Sequence, residues 1–295
     1  MNKLVSVVIP TFNCDTLIGD CLESVKKQTY KPLEIIVVDS FSTDNTPKIA
    51  KKYGKVYSFG RDPKQIHIFG APYQRNYGGS KAKGKYIYWI DSDMRLTPGL
   101  IDLCVETIKT KNADAVIIPE VSYGESFWAK CRALEKACYN KSPRSYTDTA
   151  RFIKKEVWDK LGGLDPTLGG ADDYDFQARL DTGKYKTVKI KNHVMHYEGR
   201  LSLKKQLTKK FVYGKTALGY IKKYKGNKSY LTKQYSLIRL DFLQHFDLLI
   251  QDPIHGIGMI AMKFMEYTAG FSGLIYGQIK KEKIEVYELG DLRNH

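Results

Sequence analysis

From residue 5 to residue 118 the chain repeatedly follows a short, uninterrupted apolar run with a stretch of helical periodicity. The runs Val5–Pro10, Glu34–Val38, Lys55–Tyr57, Tyr86–Ile90 and Ala115–Ile118 predict strands. The segments from about Thr16 to Gln28, Thr46 to Tyr53, Tyr73 to Lys83 and Pro98 to Lys109 predict helices between them. Apolar strands that do not alternate with polar residues suit a parallel sheet covered by helices on both faces. The expected fold class is therefore α/β, with a mostly parallel, Rossmann-like sheet flanked by helices. With 295 residues, 42% of them hydrophobic, the chain can bury a sizeable core, which excludes a disordered or collagen-like polymer. Its cysteines, Cys14, Cys21, Cys104, Cys131 and Cys138, are odd in number and form no C-x-x-C, so they read as reduced thiols. The opening apolar run stops at Pro10, too early for a signal peptide, and a cytosolic protein is expected.

In open sheets of this type ligands bind beyond the carboxyl ends of the strands. The residues there are Pro10-Thr11-Phe12-Asn13, Asp39-Ser40-Phe41-Ser42-Thr43-Asp44 and Asp91-Ser92-Asp93. Carboxylates repel a bare diphosphate, so acidic strand ends point to hydrogen bonding with a base or ribose, or to a metal ion that inverts the local sign. Asp91 and Asp93 are two residues apart, and in an extended segment both face the same side. Oxygen ligands with no cysteine beside them favour Mg2+ or Mn2+ over zinc. A turn or a helix cap is the competing use of such a pair.

These segments together resemble the family 2 glycosyltransferases, inverting enzymes of the GT-A fold that use sugar nucleotides. The resemblance runs over about residues 4–200 and keeps the family's order. It rests on Val5-Ser6-Val7-Val8-Ile9-Pro10-Thr11-Phe12-Asn13, Glu34-Ile35-Ile36-Val37-Val38-Asp39-Ser40, Ser42-Thr43-Asp44-Asn45-Thr46, Arg75-Asn76-Tyr77-Gly78, Ala82-Lys83-Gly84 and Asp91-Ser92-Asp93. It continues through Gly162-Gly163-Leu164-Asp165, Ala171-Asp172-Asp173-Tyr174-Asp175-Phe176, Arg179 and His196. The resemblance implies that Pro10, Thr11 and Asn13 lie beside the nucleotide, that Asp39 hydrogen-bonds the base and that Arg75 contacts the nucleotide or its phosphates. It also implies that Asp91 sits near the ribose and the metal, that Asp93 is a direct Mn2+ or Mg2+ ligand, and that His196 is a further one. A structural or solvent-facing histidine is the alternative for His196.

Glycosyl transfer by single displacement needs a base near the anomeric carbon, opposite the leaving group. Asp173 aligns with the family's base, and Asp172 stands where the family usually has glutamate, so the shorter side chain leaves its acceptor-binding role open. The same acidic run would also suit a helix N-terminus. Asp175 is expected in the helix that follows. A helix over Glu125–Tyr139 carries Trp128, either a sugar platform for the acceptor or part of the core, and the insertion Gly60–Pro72 has no assigned role. Gly79-Ser80-Lys81-Ala82-Lys83-Gly84-Lys85 is not a P-loop, because Tyr86 stands in place of Ser or Thr and the stretch leads from helix into strand.

The formal charge of +16 is concentrated in one place. Between Leu201 and Leu240 ten lysines and Arg239 occur with no acidic residue, and Leu203, Leu207 and Phe211 form an apolar stripe along a basic helix. No nucleic-acid-binding motif accompanies it, so nucleic acid is not the expected partner. The segment Ile254–Ile279 is rich in Ile, Met, Phe and Gly but is interrupted by Lys263 and Glu266, which argues against a spanning helix. A helix or helical hairpin in the interface of an anionic membrane is expected, with a buried core pair as the competitor. The organisation read from the chain is thus a catalytic unit over 1–200, with a nucleotide half at about 1–120 and an acceptor half at 121–200, and a helical region over 201–295. The expected partners are a nucleotide-sugar donor and a lipid-linked or other glycan acceptor at the cytosolic membrane face. Transfer to a polyprenyl phosphate, or a degenerate sugar-nucleotide-binding protein, are the alternatives.

Overall fold

The computed structural model describes residues 2–59, 70–143, 145, 147–227 and 239–280. Most of the insertion Gly60–Pro72, together with Lys228 and Lys233 of the basic stretch, lies outside them. Among the described residues ten strands run in chain order as β1 (Val5–Thr11), β2 (Leu33–Asp39), β3 (Lys55–Ser58), β4 (Tyr86–Trp89), β5 (Met94–Leu96), β6 (Ala115–Ile117), β7 (Glu120–Tyr123), β8 (Ala150–Lys154), β9 (Thr187–Lys189) and β10 (Val194–Tyr197). The helices are α1 (Asp15–Lys26), α2 (Thr46–Ala50), α3 (Gly70–Lys81), α4 (Leu100–Lys111), α5 (Phe127–Lys141), α6 (Lys155–Leu161), α7 (Asp172–Thr182) and α8 (Leu203–Lys223). Two short helices, Leu240–Gln244 and Phe246–Gln251, and the long terminal helix Pro253–Lys280 follow.

The main sheet has the order β3-β2-β1-β4-β8-β6-β9, and only β8 runs against its neighbours. All seven residues of β1 are buried, as a central strand covered on both faces requires. On one side Ile18, Cys21, Leu22 and Val25 of α1 present a single helical face to Val7, Ile9 and Val37. On the other, Trp158, Phe176 and Leu180 pack on Val8, Ile36 and Ile87. Gly78 lets α3 lie directly on the sheet, since a Cβ there would stand 2.4 Å from Val8 Cγ1. A second, three-stranded sheet, β5-β10-β7, stands beside the first and brings His196 opposite Met94 and Ser122.

The structure sharpens three expectations. The run Lys186–Val194 reads from its sequence as one strand, but it holds β9 and only the first residue of β10, which lies in the other sheet. β5, β7 and β8 were not expected, because each carries a charged residue, Arg95, Glu120 or Arg151, that interrupts the apolar run. Of the two forms expected for Ile254–Ile279, a helix or a helical hairpin, the structure has one continuous helix. It lies along α8 at very close range, for a Cβ on Gly273 would stand 1.9 Å from Phe211 O and one on Gly214 2.0 Å from Gly270 O. Its interrupting charges, Lys263 and Glu266, are buried against α5, whereas Ile254, Ile257, Ile260, Phe264 and Ile279 are exposed on another face. No helix among the described residues is long and apolar enough to cross a membrane.

Candidate active site

Two groups of polar side chains stand at the carboxyl edge of the main sheet. The first closes the ends of β1 and β2. Thr11 Oγ1 donates to Asp39 Oδ1 at 2.9 Å, and Ser42 donates to the same carboxylate through N at 2.9 Å and Oγ at 2.6 Å. Asn13, in a left-handed conformation, accepts from the Thr43 amide at 2.9 Å and donates its own amide to Ser42 Oγ. Gln74 of α3 donates to the carbonyls of Thr11 and Val38, tying the strand ends to the helix. Pro10, Thr11, Asn13 and Asp39 are therefore brought together, with Asp39 buried and both of its oxygens accepting bonds from within the loop.

The second group lines a cavity of about 1080 Å3 that includes Arg75, Asp91, Asp93, Asp172, Asp173 and His196. Arg75, buried in α3, is its hub: Nη2 lies 2.5 Å from Asp91 Oδ1, and Nη1 lies 3.4 Å from Asp173 Oδ1 and 3.6 Å from Asp172 Oδ2. Arg151 of β8 holds the other Asp91 oxygen at 3.1 Å and reaches Glu120 Oε1 at 2.5 Å. Both guanidinium carbons stand 4.6 Å from the Trp89 ring centroid, a cation–π distance. Glu120 continues the chain to Lys136 at 3.0 Å and to His196 Nδ1 at 3.4 Å, and His196 Nε2 faces Asp93 Oδ2 at 3.4 Å.

Burial acts to raise the Asp91 pKa, but the Arg75 and Arg151 charges outweigh it and hold the carboxyl below the usual range. Asp172 goes the other way, pushed well above that range by burial and by the Asp173 charge. Burial would lower His196, yet its contacts to Asp93 and Glu120 push it up to about 10.

The donor set fits a hard divalent cation on one specific observation. Asp93 Oδ1 is buried with no hydrogen-bond partner, and the His196 ring stands across from the same carboxylate. Both Asp91 oxygens are taken by arginines, so the direct protein ligands would be Asp93 and His196, with Asp91 orienting its neighbours. Among the described residues no three His, Cys, Asp or Glu side chains form a closed cage. An ion held by one or two protein groups and completed by phosphate oxygens and water is the usual arrangement for Mg2+.

The glycines and asparagine upstream explain why the Asp172–Asp173 turn stands here. Asn76 donates to Leu164 O at 2.8 Å and accepts from Leu164 N at 2.9 Å, while Gly163 (φ 72°) packs on that same amide. Asp172 and Asp173 then open α7, where they also face the helix dipole. Asp175 belongs to the scaffold, fully buried and bound to Arg179, Lys223 and Tyr224. Trp128 is not brought to the cavity. It packs with the apolar cluster of Cys131, Cys138 and Met259 and meets Phe127 edge-on, so it belongs to the core between α5 and the C-terminal helices. Arg151, Glu120 and Lys136 were not anticipated. An arginine or glutamate inside a short strand was the available signal, because such residues are buried only when paired.

An open α/β sheet with a strand-end nucleotide-type loop, an Asp-x-Asp and an acidic helix start defines a GT-A-like transferase. The chain belongs to glycosyl transferase family 2, whose description matches residues 6–164. The glycosyltransferase GlyG of Streptococcus pneumoniae serotype 4 is 37% identical over 126 residues, 43% of this chain and 42% of that protein. The chondroitin synthase of Pasteurella multocida is 28% identical over 205 residues, 65% of this chain and 21% of that protein. The chain thus spans less than half the length of these relatives. Among solved structures, the mannosyltransferase PcManGT of Pyrobaculum calidifontis, in complex with GDP-Man and Mn2+, superposes with a TM-score of 0.63 at 16% identity, over 96% of this chain and 89% of that one. The S. aureus TarS 1–349 complex with UDP superposes at 0.51 and 13% identity, over 94% and 92% of the two chains.

Proposed function

We propose that the protein is a metal-dependent inverting glycosyltransferase. It moves a sugar from a nucleoside diphosphate sugar to a hydroxyl of a lipid-linked saccharide at the cytosolic face of a membrane. The observation that carries the transfer reading is the Arg75 hub, which holds Asp91 and Asp173 on one cavity wall with Asp93 and His196 beside them. PcManGT with GDP-Man and Mn2+, and TarS with UDP, support a nucleotide-sugar donor.

A divalent ion held by Asp93 and His196 would supply neutralisation of the leaving diphosphate. Pro10, Thr11, Asn13 and Asp39 shape the loop that receives the nucleoside. Asp173, half-exposed at the cavity, accepts the proton of the acceptor hydroxyl as that oxygen attacks the anomeric carbon. The new C–O bond forms as the bond to the diphosphate breaks on the opposite face, so configuration inverts. Arg75 fixes the direction of Asp173, and the neighbouring Asp172 carboxyl, with its raised pKa, is available to donate a hydrogen bond to the acceptor.

The membrane reading is supported by the row Ile254, Ile257, Ile260 and Phe264, 54–72% exposed on the terminal helix, together with the exposed Leu240, Leu243 and Phe246 before it. Apolar patches of this extent mark interaction surfaces, and the lysines of α8 supply attraction to anionic lipid. On this reading residues 1–200 form the catalytic unit and 201–295 the membrane-facing one.

The test is release of nucleoside diphosphate from UDP-, GDP- and dTDP-sugars with Mn2+ or Mg2+, comparing wild type with Asp93→Ala. Metal-dependent release from one donor, lost in the variant, is expected. Absence of both release and metal-dependent donor binding would favour a degenerate binding protein. Sedimentation with anionic vesicles tests the second part: Ile257→Glu with Phe264→Glu should leave the protein in the supernatant, and equal partitioning would remove the membrane reading.

A further inference from the structure

The cavity does not end at the carboxylates. It continues between α5, α8 and the terminal helix, where the sign of the wall changes. There Arg132 bonds both Glu135 and Glu266, and Lys263 Nζ lies 2.9 Å from Glu135 Oε1 and 3.0 Å from Glu266 Oε2. Two cations and two anions compensate one another in that square. Lys209 and Lys210 of α8 add two more cations to the same wall, and no carboxylate among the described residues comes within ion-pair distance of either. Burial pushes the Lys210 ammonium down to about 8 despite the pull of Glu266, whereas Lys209 is held up by its contact with the Tyr213 side chain.

Where this basic end opens is equally specific. Phe271 lines the cavity and is also 63% exposed, on the helix that carries the apolar row. Lys210 stands close to this opening, its carbonyl 3.8 Å from where a Cβ on Gly270, the neighbour of Phe271, would lie. Tyr213 connects the two ends electrostatically, sensing Lys209 on one side and Asp172 and Asp173 on the other.

We propose that Lys209 and Lys210 form an acceptor subsite for a phosphate or diphosphate, the group that joins a lipid-linked saccharide to its lipid. Two ammonium groups suit this anion as point charges. The lipid leaves past Phe271 along the terminal helix, and the acceptor sugar extends toward Asp173. The choice of lipid as the source rests on the membrane reading above, whereas the anion chemistry rests on the cavity alone.

Calorimetric titration of the full chain with farnesyl diphosphate, inorganic pyrophosphate, and UDP or GDP plus Mn2+ separates these points. Lys209→Met with Lys210→Met should weaken farnesyl diphosphate binding at least about tenfold, the loss of one to two charge-assisted contacts, and leave the nucleoside diphosphates within about twofold. Pyrophosphate bound as tightly as farnesyl diphosphate, and lost in the same variant, would retain the subsite and reject the lipid source. Unchanged binding of both probes, or no binding of either to wild type, overturns the subsite. A loss confined to UDP or GDP also overturns it, by assigning the lysines to the donor. If the double variant fails to fold, exposed Lys209→Met alone carries the same comparison.

Discussion

Replacing Asp173 by Asn should stop turnover while leaving the fold almost untouched. The substitution removes one charge 3.4 Å from Arg75 Nη1 and changes the side chain's size very little. At that distance the gross attraction is about 5 kcal/mol for an effective dielectric of about 20. Little of it is lost from stability, because Arg75 keeps Asp91 at 2.5 Å and Asp172 at 3.6 Å. Burial and then the Asp173 charge hold the Asp172 pKa up, so neutralising Asp173 shifts the Asp172 pKa down and favours its pairing with Arg75. The net stability change should be about 1 kcal/mol or less, the range of partly exposed ion pairs. Loss of a general base instead lowers turnover by about 10^2 to 10^4, equivalent to about 3–5 kcal/mol of barrier. The two effects differ enough to be read separately, kcat from nucleoside diphosphate release with acceptor present and stability from thermal melting. A kcat within tenfold of wild type would refute the base assignment and favour an acceptor that is already ionised, a polyprenyl phosphate. A large fall in Tm would refute the claim that Arg75 retains its other partners.

Glu120→Gln should weaken Mn2+ binding, measured with nucleoside diphosphate present, by about 10- to 100-fold, as loss of a carboxylate behind a ligating histidine does; unchanged affinity would reduce Glu120 to a partner of Arg151. His196 is raised from 6.5 to about 10 by Asp93 and Glu120, so in the metal-free protein its stabilising contribution is complete below about pH 6.5 and is lost as pH rises through about 10. Metal-free Tm should fall over that window, and His196→Gln should flatten the profile. Since a metal takes the neutral ring, Mn2+ binding at pH 7.5 should release about one proton, seen as a buffer-dependent enthalpy; no release would exclude His196 as a ligand. Gly273→Ala places a Cβ 1.9 Å from Phe211 O, which forces α8 and the terminal helix apart. A loss of about 2 kcal/mol or more and a Tm several degrees lower are expected, and an unchanged melt would show that the helices can separate freely.

Apart from the edge strand β3, the strands that were legible in the chain are those buried largely on both faces by apolar neighbours. Val5–Pro10 and Glu34–Val38 announce themselves because nothing polar is needed at their centres, and the site residues Thr11, Asp39 and Asp91 follow directly as what comes after such a strand. β7 and β8 were hidden for the opposite reason. Glu120 and Arg151 break the apolar pattern, yet Arg151 is buried and Glu120 largely so because each faces the other, at 2.5 Å, and because Asp91, Lys136 and His196 complete the set. Lys263 and Glu266 mislead in the same way, reading as interruptions of an apolar helix when they are half of an ion-pair square with Arg132 and Glu135. A one-dimensional pattern records what a residue is, whereas the burial of a charge depends on what stands opposite it in space. Departures from local pattern therefore concentrate where function is built. Here they mark both ends of a single cavity, Glu120 and Arg151 beside the candidate metal ligands and Lys263 and Glu266 on the wall that also carries Lys209 and Lys210.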